Sequence, residues 1–129
     1  MQDARSVENI LETIINEEFP PGNGIQSVSI VSKTGLMIAG RSASSARAET
    51  FSAMAAIMFS AAEATKNDIF RDRIDHVLAV FRNTKLFIID LSSSMLIVAT
   101  ADREVVDDKV LEQMNNIVVK TKEELSWLR

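Results

Sequence analysis

Two arginines in this sequence stand where they could act on a second molecule. Arg41 and Arg47 flank a short polar loop that leads into a long apolar segment with an otherwise neutral surface. An arginine supplied to a partner can stabilise the charge that develops on a phosphoryl group during transfer. A solvated loop arginine is the plainer interpretation. We therefore name Arg41 and Arg47 as candidates for contact with an acidic or phosphate-bearing surface.

The remaining titratable candidates favour structural roles. His76 is the only histidine and the chain has no cysteine, so His76 has no second imidazole or thiolate with which to share a metal. Asp75 and Asp90 could form an acid–base pair, but a carboxylate at the end of a strand more often faces water or binds a turn amide. The sequence has no GxxxxGK[ST] loop, GxSxG elbow or HExxH pair. We expect no enzymatic activity, no cofactor and no metal.

The apolar segment is a predicted helix from Ala46 to Thr65, in which no residue between Thr50 and Ala62 is charged. A helix that is apolar nearly all round must be covered on most sides. In a small domain the chain's own sheet covers one side, which leaves the other for a second copy. Small residues along the segment permit close helix packing. The predicted dimer contacts are Phe51, Met54, Ala55, Met58 and Ala62 on the helix, with Val77 and Ala79 on the strand that follows it.

Composition narrows the class of protein. The 129 residues predict a single domain spanning 1–129, with 47% hydrophobic and 25% charged residues. A net charge of −4 with interspersed signs gives no basic patch for nucleic acid. The uncharged part of the apolar helix spans about 20 Å, short of the ~30 Å core of a bilayer, so we expect no membrane span. The absence of cysteine and of a signal-peptide pattern at the start favours a cytoplasmic protein.

The hydrophobic spacing predicts helices and strands in the order αββαβββα. Period-two alternation with Gly35 at a turn predicts a hairpin, and two later apolar runs imply a sheet covered on both faces. The predicted architecture is a three-layer α/β/α sandwich around a five-stranded, mainly antiparallel sheet. The predicted elements are a helix from Ser6 to Glu18, a hairpin from Ile25 to Gly40, the apolar helix, strands at Ile74–Phe81, Leu86–Leu91 and Met95–Thr100, and a last helix from Asp107 to Leu128.

Over about residues 5 to 125 the chain resembles the roadblock family, which includes dynein-associated light chains. The resemblance is carried by GIQSVSIVSKTGLMIAG, by the alanine-rich ETFSAMAAIMFSAAEAT and by the three-strand meander that follows. Some members have aspartate before the hairpin glycine, where this chain has Thr34. The resemblance implies a dimer without an enzymatic site, related to MglB-like regulators and to scaffold subunits that recruit Ras-like small GTPases.

The resulting hypothesis is a non-enzymatic homodimer that binds and regulates a Ras-like small GTPase, by GTPase activation or as an effector, with Arg41 and Arg47 as contact candidates. One alternative is a structural scaffold subunit that pairs with other roadblock-type domains. Another is a small-ligand sensor, which needs a pocket with convergent polar groups. Homodimer and heterodimer are both compatible with the sequence.

Overall fold

A computed structural model describes residues 6–41 and 47–126 of the chain. The elements follow the predicted order αββαβββα, with a single π-helical turn after the second helix. They are α1 (Val7–Glu18), β1 (Ile25–Ser32), β2 (Met37–Arg41), α2 (Ala48–Thr65), the π-helical turn (Lys66–Phe70), β3 (Val77–Val80), β4 (Thr84–Asp90), β5 (Met95–Asp102) and α3 (Asp107–Glu124).

The five strands form one sheet in the order β2-β1-β5-β4-β3, and all neighbouring strands are antiparallel. This confirms the predicted sheet. The third strand is shorter at both ends than the predicted Ile74–Phe81. Ile74 packs against the core outside the strand, and the N–H of Phe81 donates to the Thr84 carbonyl at 2.7 Å in the β3–β4 turn. β2 and β3 are the two edges of the sheet.

The sheet lies between two helical layers, as predicted. Alternation along β1 sends Val28 and Ile30 to the face covered by α1 and α3, and Val31 to the face covered by α2. The second face is smaller, and Phe59 of α2 is its largest fully covered helix side chain. Because helices cover both faces of the sheet, successive residues of β4 and β5 are buried, and both strands have continuous apolar sequences.

Local signals in the sequence explain where several elements begin and end. The backbone N–H of Asn9 donates to the Ser6 hydroxyl at 3.2 Å, which caps the start of α1. Gly35 has φ +101° in the β1–β2 turn, where its N–H donates to the Ser32 carbonyl at 2.9 Å. Serine is a common N-cap residue, but Ser44 and Ser45, the serines nearest to the start of α2 in the sequence, lie outside the described residues.

Lys33 connects the tip of the β1–β2 hairpin to α2 and to the β4–β5 hairpin. Its ammonium lies 2.9 Å from a carboxylate oxygen of Asp90 and 5.5 Å from the centre of the Phe59 ring in α2. Its backbone N–H donates to the carbonyl of Ser94 in the β4–β5 turn at 2.9 Å. The hairpin tip is therefore attached to the rest of the molecule by three different interactions.

Glu18 joins the end of α1 to α3. The ammonium of Lys120 lies 2.6 Å from one carboxylate oxygen, and the Asn116 amide donates to the other at 3.1 Å. The Gln113 amide donates to the Glu18 backbone carbonyl at 2.7 Å. The hydrogen bond from Lys120 is the main reason that the pKa of Glu18 is lowered from its usual 4.5, while partial burial opposes the shift.

This lowered pKa predicts a pH-dependent contribution to stability. A carboxyl group with a lower pKa in the folded state stabilises the fold above its unfolded pKa, and that stabilisation is lost as the pH falls through the folded value. Glu18→Gln should therefore melt at a lower temperature than the wild type at neutral pH, and the difference should close well below pH 4.5. Thermal unfolding across this range measures it. Glu112→Gln, at an exposed position of α3, is the control, and a difference for Glu18→Gln that persists in acid would contradict the assignment.

Candidate functional site

The exposed residues of α2 from Thr50 to Ala64 are all uncharged. We call this set the outer face, and its most apolar members, Met54 and Ile57, are 57% and 62% exposed. No helix among the described residues is long and apolar enough to cross a membrane. A helix face of this kind exposed to water is typical of a protein-binding surface. The outer face consists of Thr50, Ala53, Met54, Ile57, Ser60, Ala61 and Ala64.

β3 is an edge of the sheet beside α2, and its Val77 and Ala79 pack on the α2 side. β3 pairs with β4 in an unbroken register from Val77 opposite Ile88 to Val80 opposite Lys85, and no strand within residues 6–41 and 47–126 lies on its other side. Val80 and the next residue, Phe81, are both largely exposed. An unpaired, regular strand offers backbone hydrogen-bonding groups to a second strand. The molecule therefore presents an apolar helix face and an open sheet edge on the side where α2 approaches β3.

The predicted interface residues occupy different positions around this surface. Met54 lies on the outer face, whereas Ala55 is 1% exposed and packs against the chain's own sheet. Ile57 was not among the predicted contacts, although it lies three residues after Met54 and shares its face of the helix. The other predicted positions, Phe51, Met58, Ala62, Val77 and Ala79, are partly buried within the single chain.

Arg41 is engaged inside the chain. Its guanidinium donates to the Asn16 side-chain oxygen at 3.0 Å and to the backbone carbonyl of Phe19 at 2.5 Å. Phe19 follows the last residue of α1, where unsatisfied carbonyls and the helix dipole favour a cation. Arg41 thus attaches the end of α1 to the edge strand β2. Arg41 is 22 residues from Phe19 and 25 residues from Asn16 in the sequence, and a single sequence gives no sign of contacts at such distances.

Arg47 has a different environment. It is exposed and stands immediately before the first residue of α2, next to the start of the outer face. Seven residues, about two helical turns, separate it from Met54. Of the two predicted arginines, Arg47 is the one that the geometry leaves beside an exposed apolar surface.

The other titratable candidates lie at solvent-exposed positions. Asp75 and His76 precede β3 and are exposed, and Asp90 is paired with Lys33. The described residues contain no group of three histidines or acids arranged to hold a metal. A hollow of about 350 Å³ lies between the end of α2 and the start of β3, and its lining includes Phe70 and His76. His76, a polar member of that lining, is exposed to solvent. A small-ligand site instead has precisely placed polar groups inside a pocket that buries the ligand.

The fold and this surface define a small α/β/α sandwich with an apolar helix face beside an open sheet edge. The chain belongs to the Roadblock/LC7 domain family, whose model matches residues 18–101. This confirms the resemblance seen in the hairpin and in the alanine-rich helix. No curated protein matches the chain.

Solved structures show the same fold at low sequence identity. A Roadblock/LC7 domain from Streptomyces avermitilis matches with a TM-score of 0.79 and 17% identity, covering 89% of this chain and 97% of that one. Myxococcus xanthus MglB matches with a TM-score of 0.77 and 12% identity, covering 98% and 100%. An MglB in a tetrameric arrangement matches with a TM-score of 0.78 and 14% identity, covering 96% and 94%. At these identities the likeness concerns the fold.

Proposed function

We propose that this Roadblock/LC7 domain is a cytoplasmic, non-enzymatic homodimer that binds a Ras-like small GTPase and regulates it. The observation that carries the proposal is the uncharged outer face of α2 beside the open β3 edge. Family membership supplies the partner class, because the roadblock proteins that this chain resembles include regulators of Ras-like GTPases. The MglB structures support the fold on which that comparison rests.

Self-association through α2 and β3 is the first part of the proposal. Two copies related by a two-fold axis can place their outer faces against each other, and Met54 and Ile57 then leave water. The alanines and serine of the outer face, including Ala53, Ser60 and Ala61, allow the helices to approach closely. The β3 strands can pair at the same time, which satisfies backbone groups at the open edge.

Contact with the GTPase is the second part. A two-fold pair of α2 helices forms a composite surface with Arg47 exposed at the start of each helix. A cation at the rim of an apolar surface mainly sets the rate of encounter with an acidic or phosphate-bearing partner. Arg41 contributes indirectly in this arrangement, since its guanidinium holds α1 against β2.

A regulator must distinguish the two nucleotide states of its GTPase. We expect the GTP-bound form to bind at least ~10-fold more tightly than the GDP-bound form, which makes about 1.4 kcal/mol available to shift the switch equilibrium. Arg47→Glu should weaken binding by up to about tenfold, mostly through slower association. Surface-immobilised GTPase in each nucleotide state, with dimer as analyte, measures both quantities.

Arg103→Glu is the matched control, because Arg103 is exposed in the turn before α3 and the charge change is the same. It should bind like the wild type. Light scattering on each variant verifies that the dimer persists. Equal affinity for both nucleotide states together with an unchanged hydrolysis rate would contradict regulation, since a ligand without state preference shifts nothing. The scaffold alternative, pairing with another roadblock-type domain, would then account for the same outer face.

A further inference from the structure

The two edges of the sheet are built differently. β3 pairs with its neighbour without interruption, whereas the register of β2 against β1 shifts between Ile30 and Val31. Ile30 lies opposite Ala39 and Val31 lies opposite Met37, so Ile38 is an extra residue on β2. Such a β-bulge bends and twists an edge strand, which makes it a poor template for another strand.

Gly40 adds a second distortion to β2. Its φ of +129° is a backbone conformation that side chains disfavour, and a Cβ atom there would lie 2.5 Å from the Cα of Ser29. The backbone of β2 therefore departs from a regular strand at Ile38 and again at Gly40. Irregular edge strands are a recognised protection against pairing with other chains.

Carboxylates border the same edge. A groove of about 690 Å³ runs along β2 between the two helical layers, and its lining includes Glu8 and Glu12 from α1 and Glu49 from the first turn of α2. The cation at the end of the strand, Arg41, is engaged by α1. A second copy pairing through β2 about a two-fold axis would bring both sets of three glutamates together, and like charges at a seam oppose association.

We propose that β2 is a non-pairing end of the sheet, so that association of this chain by strand pairing stops at two copies. The inference rests on the proposed dimer through β3. Pairing through β3 leaves a β2 strand at each end of the combined sheet. If β2 could also pair, every dimer would have two further sites and the assembly would be an open chain of copies. The bulge, the Gly40 conformation and the glutamates prevent that extension.

The test removes the glutamates and the bulge, keeps Gly40, and measures the mass of the particle. One variant carries Glu8→Gln, Glu12→Gln and Glu49→Gln, and a second adds deletion of Ile38. We call these two proteins the edge variants. The control carries Glu104→Gln, Glu112→Gln and Glu124→Gln, which produce the same charge change at exposed positions away from β2. Light scattering over a concentration series, with circular dichroism to verify folding, compares all of them with the wild type.

Leu36→Cys reports contact at this edge. Leu36 is exposed beside β2, and the chain has no other cysteine, so a disulfide between copies can form only there. We expect the wild type and the control to keep one mass, and the edge variants to grow with concentration to at least roughly twice that mass and to cross-link through Leu36→Cys.

Folded edge variants that keep the wild-type mass without cross-linking would overturn the proposal, as would a wild type that cross-links through β2. If the deletion variant does not fold, the triple glutamine variant, which keeps the backbone length, decides the result. A monomeric wild type would contradict only the proposed dimer and not the inference about β2. Gain of cross-linking in the edge variants, absent in the wild type, would still support the inference about β2.

Discussion

Ile57→Glu is expected to convert the proposed dimer into a folded monomer. Ile57 is among the most exposed apolar side chains of α2, and a glutamate at the centre of a helix–helix interface would be a buried charge without a partner. An uncompensated charge of this kind costs about 3–5 kcal/mol. That cost weakens self-association by more than about a hundredfold. Light scattering and sedimentation at roughly tens of micromolar should then detect single copies.

Met54→Glu and Val119→Glu provide a matched comparison. Met54 on α2 and Val119 on α3 are both 57% exposed, so the two substitutions remove similar apolar surface from the single chain. Only Met54→Glu should dissociate the dimer. Identical behaviour of the two variants, or a wild type that is monomeric over the same range, would contradict an interface on the outer face. Ala55→Glu is not a clean test, because Ala55 packs against the chain's own sheet and its replacement would disrupt the fold.

Gly40→Ala is expected to lower the free energy of unfolding by about 2–4 kcal/mol, through backbone strain and overpacking. The Cβ of alanine would lie 2.4 Å from the backbone carbonyl oxygen of Val28. β1 and β2 would have to move apart to relieve this contact, since backbone atoms cannot rotate away as a side chain can. Chemical denaturation monitored by circular dichroism measures the change.

Gly22→Ala separates the two contributions. Gly22 also has a positive φ, +103°, but a Cβ there would have no heavy atom within 4 Å. Its replacement should cost only the backbone strain, about 1–3 kcal/mol. If Gly22→Ala were as destabilising as Gly40→Ala, the close approach of β2 to β1 would not be a source of strain.

The order of elements could be read from the sequence because each element has its own periodicity or turn signal. β3 shows the limit of such reading. Ile74 belongs to the apolar run and is partly buried, yet it lies outside the strand. An apolar run indicates burial, whereas a strand requires hydrogen-bond partners, and pairing of β3 with β4 begins only at Val77.

The candidate surface could be predicted only in part, for a related reason. A helix that is apolar on all sides has no polar stripe to show which side faces the sheet. Packing against β4 and β5 selects Ala55 and Phe59 as the inner residues, and that choice leaves Met54 and Ile57 outside. The role of Arg41 was hidden as well, because its partners lie far away in sequence.

Lys33 has a consequence for how the molecule opens. Tips of β-hairpins commonly fray on their own, with local opening free energies far below that of global unfolding. Here, release of the tip would break three interactions of Lys33 together: the ion pair with Asp90, the cation–π contact with the Phe59 ring and the backbone hydrogen bond to Ser94. We therefore expect the tip to open only together with the β4–β5 hairpin and α2, so that amide hydrogens around it exchange with solvent as slowly as those of the sheet.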